Sequence, residues 1–385
     1  MVLFRGYIMI IFHISILIMI LVLNILMPIF IRTYILRFYK KQKTANVVLY
    51  RLKFLQQYIQ NVVIILSMFL FTFSVSKIMA RNEINKIILM MTPFLFLLLV
   101  VIINQILYHN VYRIIRNTEM TVMEDIIEVA KDFLLLMLPS LLLTIFKIEI
   151  LNRLVLNQTI NFAAIALLII IINVMYPYIV KFFIGAKHLK SKDLGDALNN
   201  NMVKQGIKNV EIYEWSSTKS KVANALVCGV FVKKIFISDY LIKNLSVKEI
   251  ESVLAHEVGH LKGFHLWIKI ALIILAFPIF TALGSIMDNF EEITMIKIPI
   301  PLGIGLFFLA MIFYFSFLYM FFSRIQERQA DKYVIKSGID INTYISALRK
   351  IAKLNDTMNK TNKFDDKFQT HPSFEKRINW LQKVL

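Results

Sequence analysis

The chain has 385 residues, of which 58% are hydrophobic, and its mean hydropathy of +0.65 excludes an ordinary soluble domain and indicates a polytopic membrane protein. The formal net charge of +19 does not indicate nucleic-acid binding, because the Lys and Arg residues lie in loops beside apolar segments and no nucleic-acid-binding motif is present. The single cysteine, Cys228, excludes an intramolecular disulfide and fits a polar part that faces a reducing compartment.

Apolar segments long enough to cross a bilayer occur along most of the chain. Five of them come before residue 185, and we predict membrane-spanning helices at 7–31, 59–79, 87–107, 133–151 and 160–184. Two more follow at 264–287 and 298–322, which makes about seven spans. The predicted fold class is therefore mainly α: a polytopic α-helical membrane protein with a small α+β domain in its polar part.

Basic residues predict the orientation of these spans through the positive-inside rule. The loop 32–57 is basic and contains no Asp or Glu, so we place it in the cytoplasm. Counting spans from there puts 108–132, 185–263 and the C-terminus on the same side, which holds most of the 44 Lys and Arg residues. In the loop 108–132, acidic residues outnumber basic ones. We keep the same orientation, because the rule counts Lys and Arg and not the net charge. We expect the N-terminus outside and any catalytic part in the cytoplasm.

The stretch 185–244 is polar, with short β-rich runs at Val210–Tyr213, Val222–Val227 and Lys234–Ile237. These runs predict a small sheet just before the next helix. An edge strand of this sheet could bind an extended peptide by adding it as a further strand.

The stretch 245–263, LSVKEIESVLAHEVGHLKG, carries the strongest chemical signal. Ser246 and Glu249 form the pattern of a capping box that begins a helix. His256 and His260 are one turn apart, so both imidazoles project from one face and can supply two ligands of a catalytic zinc. Glu257 is placed to take a proton from the attacking water. The alternative is an ordinary helix with polar residues on its outer face.

A third ligand is predicted downstream, in RIQERQAD at 324–331. Glu327 supplies the carboxylate, and Asp331, one turn later, suits an outer position that accepts the second ring N–H of a ligand histidine. The alternative is a solvated helix face of mixed charge. We expect the helix of His256 to run on into the sixth span with a possible bend at Gly263. His265 then lies half a turn off the ligand face, and no role is predicted for it.

HEVGH followed by ERQAD resembles the M48 metallopeptidases, a family of membrane zinc proteases that includes the CAAX prenyl endopeptidases and the HtpX proteases. The stretches VANALVCG at 222–229, KIFISDYL at 234–241 and THPSFEKRI at 370–378 resemble further family signatures. The resemblance covers about residues 185–385. It implies a gluzincin-type α+β peptidase domain and one Zn²⁺ per chain, with ligands His256, His260 and Glu327.

The resemblance also implies roles for individual residues. Glu257 would act as general base and then general acid, and Asp331 would support a ligand histidine. Asn224 and Ala225 would line the substrate cleft. His371 would stabilise the oxyanion, and Arg377 would orient His371 or bind substrate.

The predicted organisation is a membrane region with five spans at 1–184, two halves of a peptidase domain at 185–263 and 323–385, and two spans between them at 264–322. The predicted function is that of an integral membrane zinc endopeptidase acting on membrane or membrane-associated polypeptides, so its partners are a polypeptide substrate and the lipid bilayer. The alternatives are CAAX-type processing of prenylated C-termini and a non-catalytic membrane scaffold. A scaffold would not require the whole ligand set, and a metal transporter would carry its ligands inside the spans.

Overall fold

A computed structural model describes residues 2–42, 44–79, 86–151, 154, 157–207, 210–295, 300–357 and 372–384. These residues are mainly helical and include a four-stranded sheet, which confirms the predicted fold class. The chain forms two compact units. The first contains 1–153 with the short segments 219–221 and 356–358, and the second contains 154–218, 222–355 and 359–385.

The first unit is a set of long helices. They are α1 (Val2–Gln42), α2 (Ala45–Leu55), α3 (Asn61–Met79), α4 (Lys86–Arg116) and α5 (Val122–Phe146), with π-helical turns at Gln56–Gln60 and Lys147–Leu151. Many of their apolar side chains are exposed, such as Phe30 and Leu136. Exposed apolar faces on helices of this length are what a lipid environment accommodates.

Polar contacts join these helices. They matter because apolar side chains pack about as well against lipid as against protein, so apolar surface alone does not select one arrangement of helices. Asn24 Nδ2 donates to Ser67 Oγ at 2.8 Å, linking α1 to α3. Tyr108 Oη donates to Gln60 Oε1 at 2.7 Å, linking α4 to the turn before α3. The His109 ring and the Asp125 carboxylate are in buried hydrogen-bond contact between α4 and α5. Such contacts specify how the helices of the unit pack.

The second unit begins with a long apolar helix and continues into the sheet and the peptidase helices. In chain order its elements are α6 (Gln158–Phe183), β1 (Lys187–His188), α7 (Lys192–Lys204), β2 (Glu211–Trp215), β3 (Ala225–Cys228), β4 (Lys234–Ser238), α8 (Asp239–Asn244), α9 (Val247–Lys262), α10 (His265–Thr294), α11 (Ile300–Phe313), a π-helical turn (Tyr314–Tyr319), α12 (Met320–Lys336), α13 (Ile341–Leu354) and α14 (Phe374–Val384).

Six helices of the described residues are long and apolar enough to cross a membrane: Met9–Lys41, Ala45–Val75, Met91–Arg116, Val122–Phe146, Gln158–Phe183 and His265–Thr294. They correspond to the first six predicted spans, although the second begins well before residue 59. The seventh prediction, 298–322, begins in residues outside the described part and continues through α11 and the turn after it. It stays a prediction, as does the division of the chain into four segments.

The sheet has the strand order β1-β2-β4-β3. β2 and β4 are parallel, whereas β1 pairs with β2, and β3 with β4, in antiparallel fashion. The three predicted strands exist with slightly shifted ends, and the two-residue β1 was not predicted. Because β3 lies at the edge of the sheet and contacts α9, one side of its backbone faces the groove beside that helix.

Helix α9 begins as predicted, with the capping box of Ser246 and Glu249. Its apolar face packs into the core, where Leu254 and Val258 are almost fully buried, whereas Val247 in its first turn is exposed. Although burial opposes ionisation, hydrogen bonds from Lys350 and from serines of α9 and α13 lower the pKa of Glu249 to about 2. Glu249 thus joins the start of α9 to α13.

The helix that carries HEVGH does not run straight into the sixth span. α9 ends at Lys262, and Phe264 takes a left-handed conformation with φ 53° before α10 begins at His265. The bend expected at Gly263 is therefore a complete break between two helices. As a result, the sequence spacing does not predict on which side of α9 the residues after the break lie.

Candidate metal centre

His256 and His260 project from one face of α9, as their spacing predicts. Their Nε2 atoms are 3.2 Å apart, and the two rings meet nearly at right angles. His256 is buried and His260 is partly buried. Because both Nε2 atoms face the same point, one ion could contact both.

Glu327 comes to the same point from α12. Its carboxylate oxygens lie 3.4 Å from Nε2 of His256 and 3.3 Å from Nε2 of His260, and its side chain is 1% exposed. One ligand atom from each of the three residues lies within 4.8 Å of the others, and among the described residues this is the group that could hold a metal ion. Two imidazoles and one carboxylate are the protein ligands of a common catalytic zinc site that leaves the fourth position open.

The remaining ring nitrogens of the two histidines already have partners. His256 Nδ1 lies 3.0 Å from Asp331 Oδ1, and His260 Nδ1 lies 2.8 Å from Nδ1 of His265. An N–H on Nδ1 leaves the lone pair of a neutral imidazole on Nε2, which is the atom that faces Glu327. The donor set therefore fits a divalent metal ion in chemistry and in orientation.

A buried polar network surrounds His256 on the side away from Glu327. Arg377 donates to both carboxylate oxygens of Asp331, at 3.0 and 2.7 Å, and to Tyr344 Oη at 2.6 Å. Tyr344 Oη in turn donates to Asp331 Oδ1 at 2.8 Å and lies 3.0 Å from His256 Nδ1. Although burial opposes it, the charge of Arg377 and the His256 hydrogen bond hold the pKa of Asp331 well below its usual range.

The two histidines differ in how readily they take a proton. Burial and the charge of Arg377 lower the pKa of His256, but hydrogen bonds to Asp331 and Glu327 outweigh them and raise it to about 9. Burial lowers the pKa of His260, against an opposing hydrogen bond to Glu327. A metal ion and a proton compete for the same lone pair, so metal binding would release the proton of His256.

The sequence prediction placed Asp331 beside a ligand histidine, and the structure brings the two together. Tyr344 was not predicted as a site residue, because no motif in the sequence marks it. Arg377 was predicted to orient His371 or bind substrate, and it lines the cavity beside the site. Its contacts with Asp331 and Tyr344, however, indicate a part in holding His256, and its contact with substrate stays a prediction.

The candidate metal site opens into a cavity of about 530 Å³. Glu257, one residue after His256, is partly exposed and lines this cavity. Asn224 and Ala225, at the start of β3, also line the cavity, and the Asn224 side-chain oxygen accepts the Ala225 N–H at 2.9 Å. The structure thus brings the predicted cleft residues to the predicted metal ligands. His371 lies outside the described residues, and its predicted role is untested.

Close packing between α9 and α12 sets the distance between the two halves of the site. A Cβ on Gly259 would lie 2.9 Å from Ala330 Cα and 3.0 Å from Tyr333 Cβ. Only glycine permits this approach without a shift of backbone. Gly259 stands next to His260, and Ala330 lies three residues after Glu327, so the contact holds the ligands together.

Comparison with known proteins agrees with this geometry. Residues 188–385 match the family model described as peptidase family M48. The protease HtpX of Tolumonas auensis is 28% identical over 202 residues, which cover 46% of this chain and 67% of that protein. The crystal structure of S. mikatae Ste24p is similar with a TM-score of 0.64 at 18% identity, covering 90% of this chain and 87% of that one. At that identity the likeness shows a shared fold.

The family match spans more than half of the chain and includes His256, Glu257, His260 and Glu327. Six long apolar helices accompany it. The chain therefore belongs to peptidase family M48 and is a multi-pass membrane metalloprotease.

Proposed function

We propose that this peptidase is a zinc-dependent endopeptidase that cleaves membrane or membrane-associated polypeptides. The observation that carries the proposal is the convergence of His256, His260 and Glu327 on one point in the wall of an open cavity that Glu257 also lines. The two histidines and the glutamate would hold one zinc ion per chain. When bound, zinc supplies a Lewis acid that polarises the scissile carbonyl and favours ionisation of water.

The chain's own residues supply the proton transfers. Glu257 takes a proton from the water whose oxygen attacks the carbonyl carbon, and then gives it to the amine nitrogen as the C–N bond breaks. Asp331 accepts the Nδ1–H of His256 and so fixes that ring in the form that can bind a metal. His371 is proposed, by resemblance alone, to donate to the oxyanion.

The sheet edge supports a polypeptide substrate. Among the described residues, β3 pairs with β4 and with no strand on its other side, and Asn224, Ala225, Leu226 and Val227 line the cavity. An extended peptide could add to this edge through backbone hydrogen bonds, which are independent of sequence. Apolar side chains that also line the cavity, such as Leu348 and Ile351 of α13, would contact the substrate's side chains.

We also propose that the catalytic part faces the cytoplasm and that the N-terminus lies outside. The support is the distribution of Lys and Arg, which concentrates on the side of the peptidase segments. In addition, His260 and Glu327 lie on either side of α10 in the chain and yet meet at one point. If α10 crosses the bilayer, the chain must cross back before Glu327, which supports the predicted seventh span.

The test is cleavage of casein and of a membrane-protein substrate by the detergent-purified full-length protein. Glu257→Gln should reduce turnover by at least about 100-fold, because a positioned general base contributes on that order or more, while the zinc content stays that of the wild type. Glu251→Gln is the matched control, since this acid lies on the same helix and is not among the described residues that line the cavity.

A zinc chelator should abolish cleavage, and added zinc should restore it. Equal cleavage by the wild type and Glu257→Gln would overturn the proposed mechanism. A prenylated peptide that is cleaved when casein and membrane proteins are not would replace the proposed substrate class with CAAX-type processing.

A further inference from the structure

His265 is the first residue of α10, and the proposed mechanism gives this histidine no part. Its ring is buried, with 1% of the residue exposed. Nδ1 of His265 lies 2.8 Å from Nδ1 of His260, and Nε2 lies 2.9 Å from Oε1 of Gln329 on α12. His265 therefore lies between a proposed metal ligand and the helix that carries another.

The partners of His265 fix which atom donates in each hydrogen bond of the series from His260 through His265 to Gln329. An amide oxygen only accepts, so Nε2 of His265 must donate to Gln329. A neutral imidazole with its proton on Nε2 has an acceptor at Nδ1, which then receives the Nδ1–H of His260. This leaves the lone pair of His260 on Nε2, the atom that lies 3.3 Å from Oε1 of Glu327.

We propose that His265 is a positioning residue that holds His260 in the tautomer and ring orientation required of a metal ligand. The inference rests on the proposed metal site. His265 would give the Nδ1 atom of His260 a hydrogen-bond partner, as Asp331 does for Nδ1 of His256. The acceptor here is uncharged, and Gln329 in turn fixes its proton.

The break between α9 and α10 is built around this contact. Phe264 takes a left-handed conformation, which is unfavourable for a residue with a side chain, and so turns the chain to bring His265 back towards His260. Gly263 leaves the space for the ring, because a Cβ at that position would lie 2.2 Å from His265 Nε2. The carbonyl of His265 also accepts from Gln326 Nε2 at 3.4 Å.

His265 does not act as a ligand itself in this arrangement. Among the described residues, the group whose donor atoms converge consists of His256, His260 and Glu327. Both ring nitrogens of His265 are used by His260 and Gln329. Its contribution is therefore exerted through His260.

The test is the zinc dissociation constant of the detergent-purified full-length protein, measured by competition with a chelating indicator. His265→Leu removes the acceptor at similar volume and should weaken zinc binding by about 10- to 100-fold, the usual effect of losing such an outer partner. His265→Asn can place an amide oxygen near the position of Nδ1, so it should bind zinc within a few-fold of the wild type.

Gly263→Ala provides a second route that keeps the imidazole. The added methyl group would displace the ring, so this variant should weaken zinc binding in the same direction as His265→Leu. The unfolding temperature of each metal-free variant is measured alongside, so that a loss of zinc affinity can be compared with any loss of stability.

Weak binding by His265→Leu and Gly263→Ala together with recovery in His265→Asn would support the inference. Wild-type affinity in His265→Leu, or equal weakness in His265→Asn and His265→Leu, would overturn it and leave His265 a packing residue. Failure of the wild type itself to bind zinc would instead refute the proposed metal site.

Discussion

Among single residues, Gly259 is a position where a small change should affect both the packing of the protein and the proposed metal site. It lies inside the HEVGH motif, and its Cα faces the backbone of Ala330 on α12. The residues on either side of this contact, His260 and Glu327, are proposed ligands of one ion. A methyl group here would therefore act on the site through the spacing of two helices.

We expect Gly259→Ala to destabilise the protein by about 1–3 kcal/mol, the usual cost of extra volume in a packed interior. It should also weaken zinc binding by about tenfold or more, since outer contacts that hold ligands in place have effects of this size. Gly195→Ala on α7 is the matched control, because its Cβ would meet only Leu189 at 3.7 Å. Thermal unfolding and a zinc competition assay measure both effects. Wild-type values for Gly259→Ala in both would contradict the account.

The shared face of the two proposed histidine ligands could be predicted from the sequence because its geometry is local. Four residues make about one helical turn, so His256 and His260 must share a face once the helix exists. Tyr344 and His265 could not be predicted in this way. Tyr344 comes from α13 and meets His256 only through the tertiary fold. The position of His265 depends on the left-handed turn at Phe264, which no periodicity reveals.

At the scale of elements, the site is assembled from helices that come from separate parts of the chain. α9 provides the two histidines, α12 provides Glu327 and Asp331, and α14 provides Arg377. α10 lies between the first two of these in sequence. The metal site is thus proposed to form only when the whole second unit has folded, which explains why Glu327 could not be assigned firmly from its own pattern.

The sheet illustrates the same limit. The three longer strands could be found from their β-branched and aromatic residues, and they appear within a few residues of the predicted bounds. The order β1-β2-β4-β3 could not, because it depends on which strands pair rather than on their composition. This order places β3 at the edge of the sheet beside the cavity, where we propose that a peptide substrate binds.

At the scale of the whole molecule, the number and orientation of the spans decide where substrates are met. We expect Lys248 to face the cytoplasm and Asp288 to face the outside. Each position is replaced by cysteine in a Cys228→Ser background and exposed to a membrane-impermeant maleimide in right-side-out vesicles. We predict that the Asp288→Cys variant is labelled and that the Lys248→Cys variant is not. The reverse pattern would refute the proposed orientation.

Three residues from two helices are proposed to hold one catalytic zinc. The most direct measurement is the zinc content of the detergent-purified wild type, of Glu257→Gln and of Glu327→Ala, determined by mass spectrometry after dialysis. We predict one zinc per chain in the wild type and in Glu257→Gln, and little or none in Glu327→Ala. A wild type without zinc, or full zinc content in Glu327→Ala, would contradict the account.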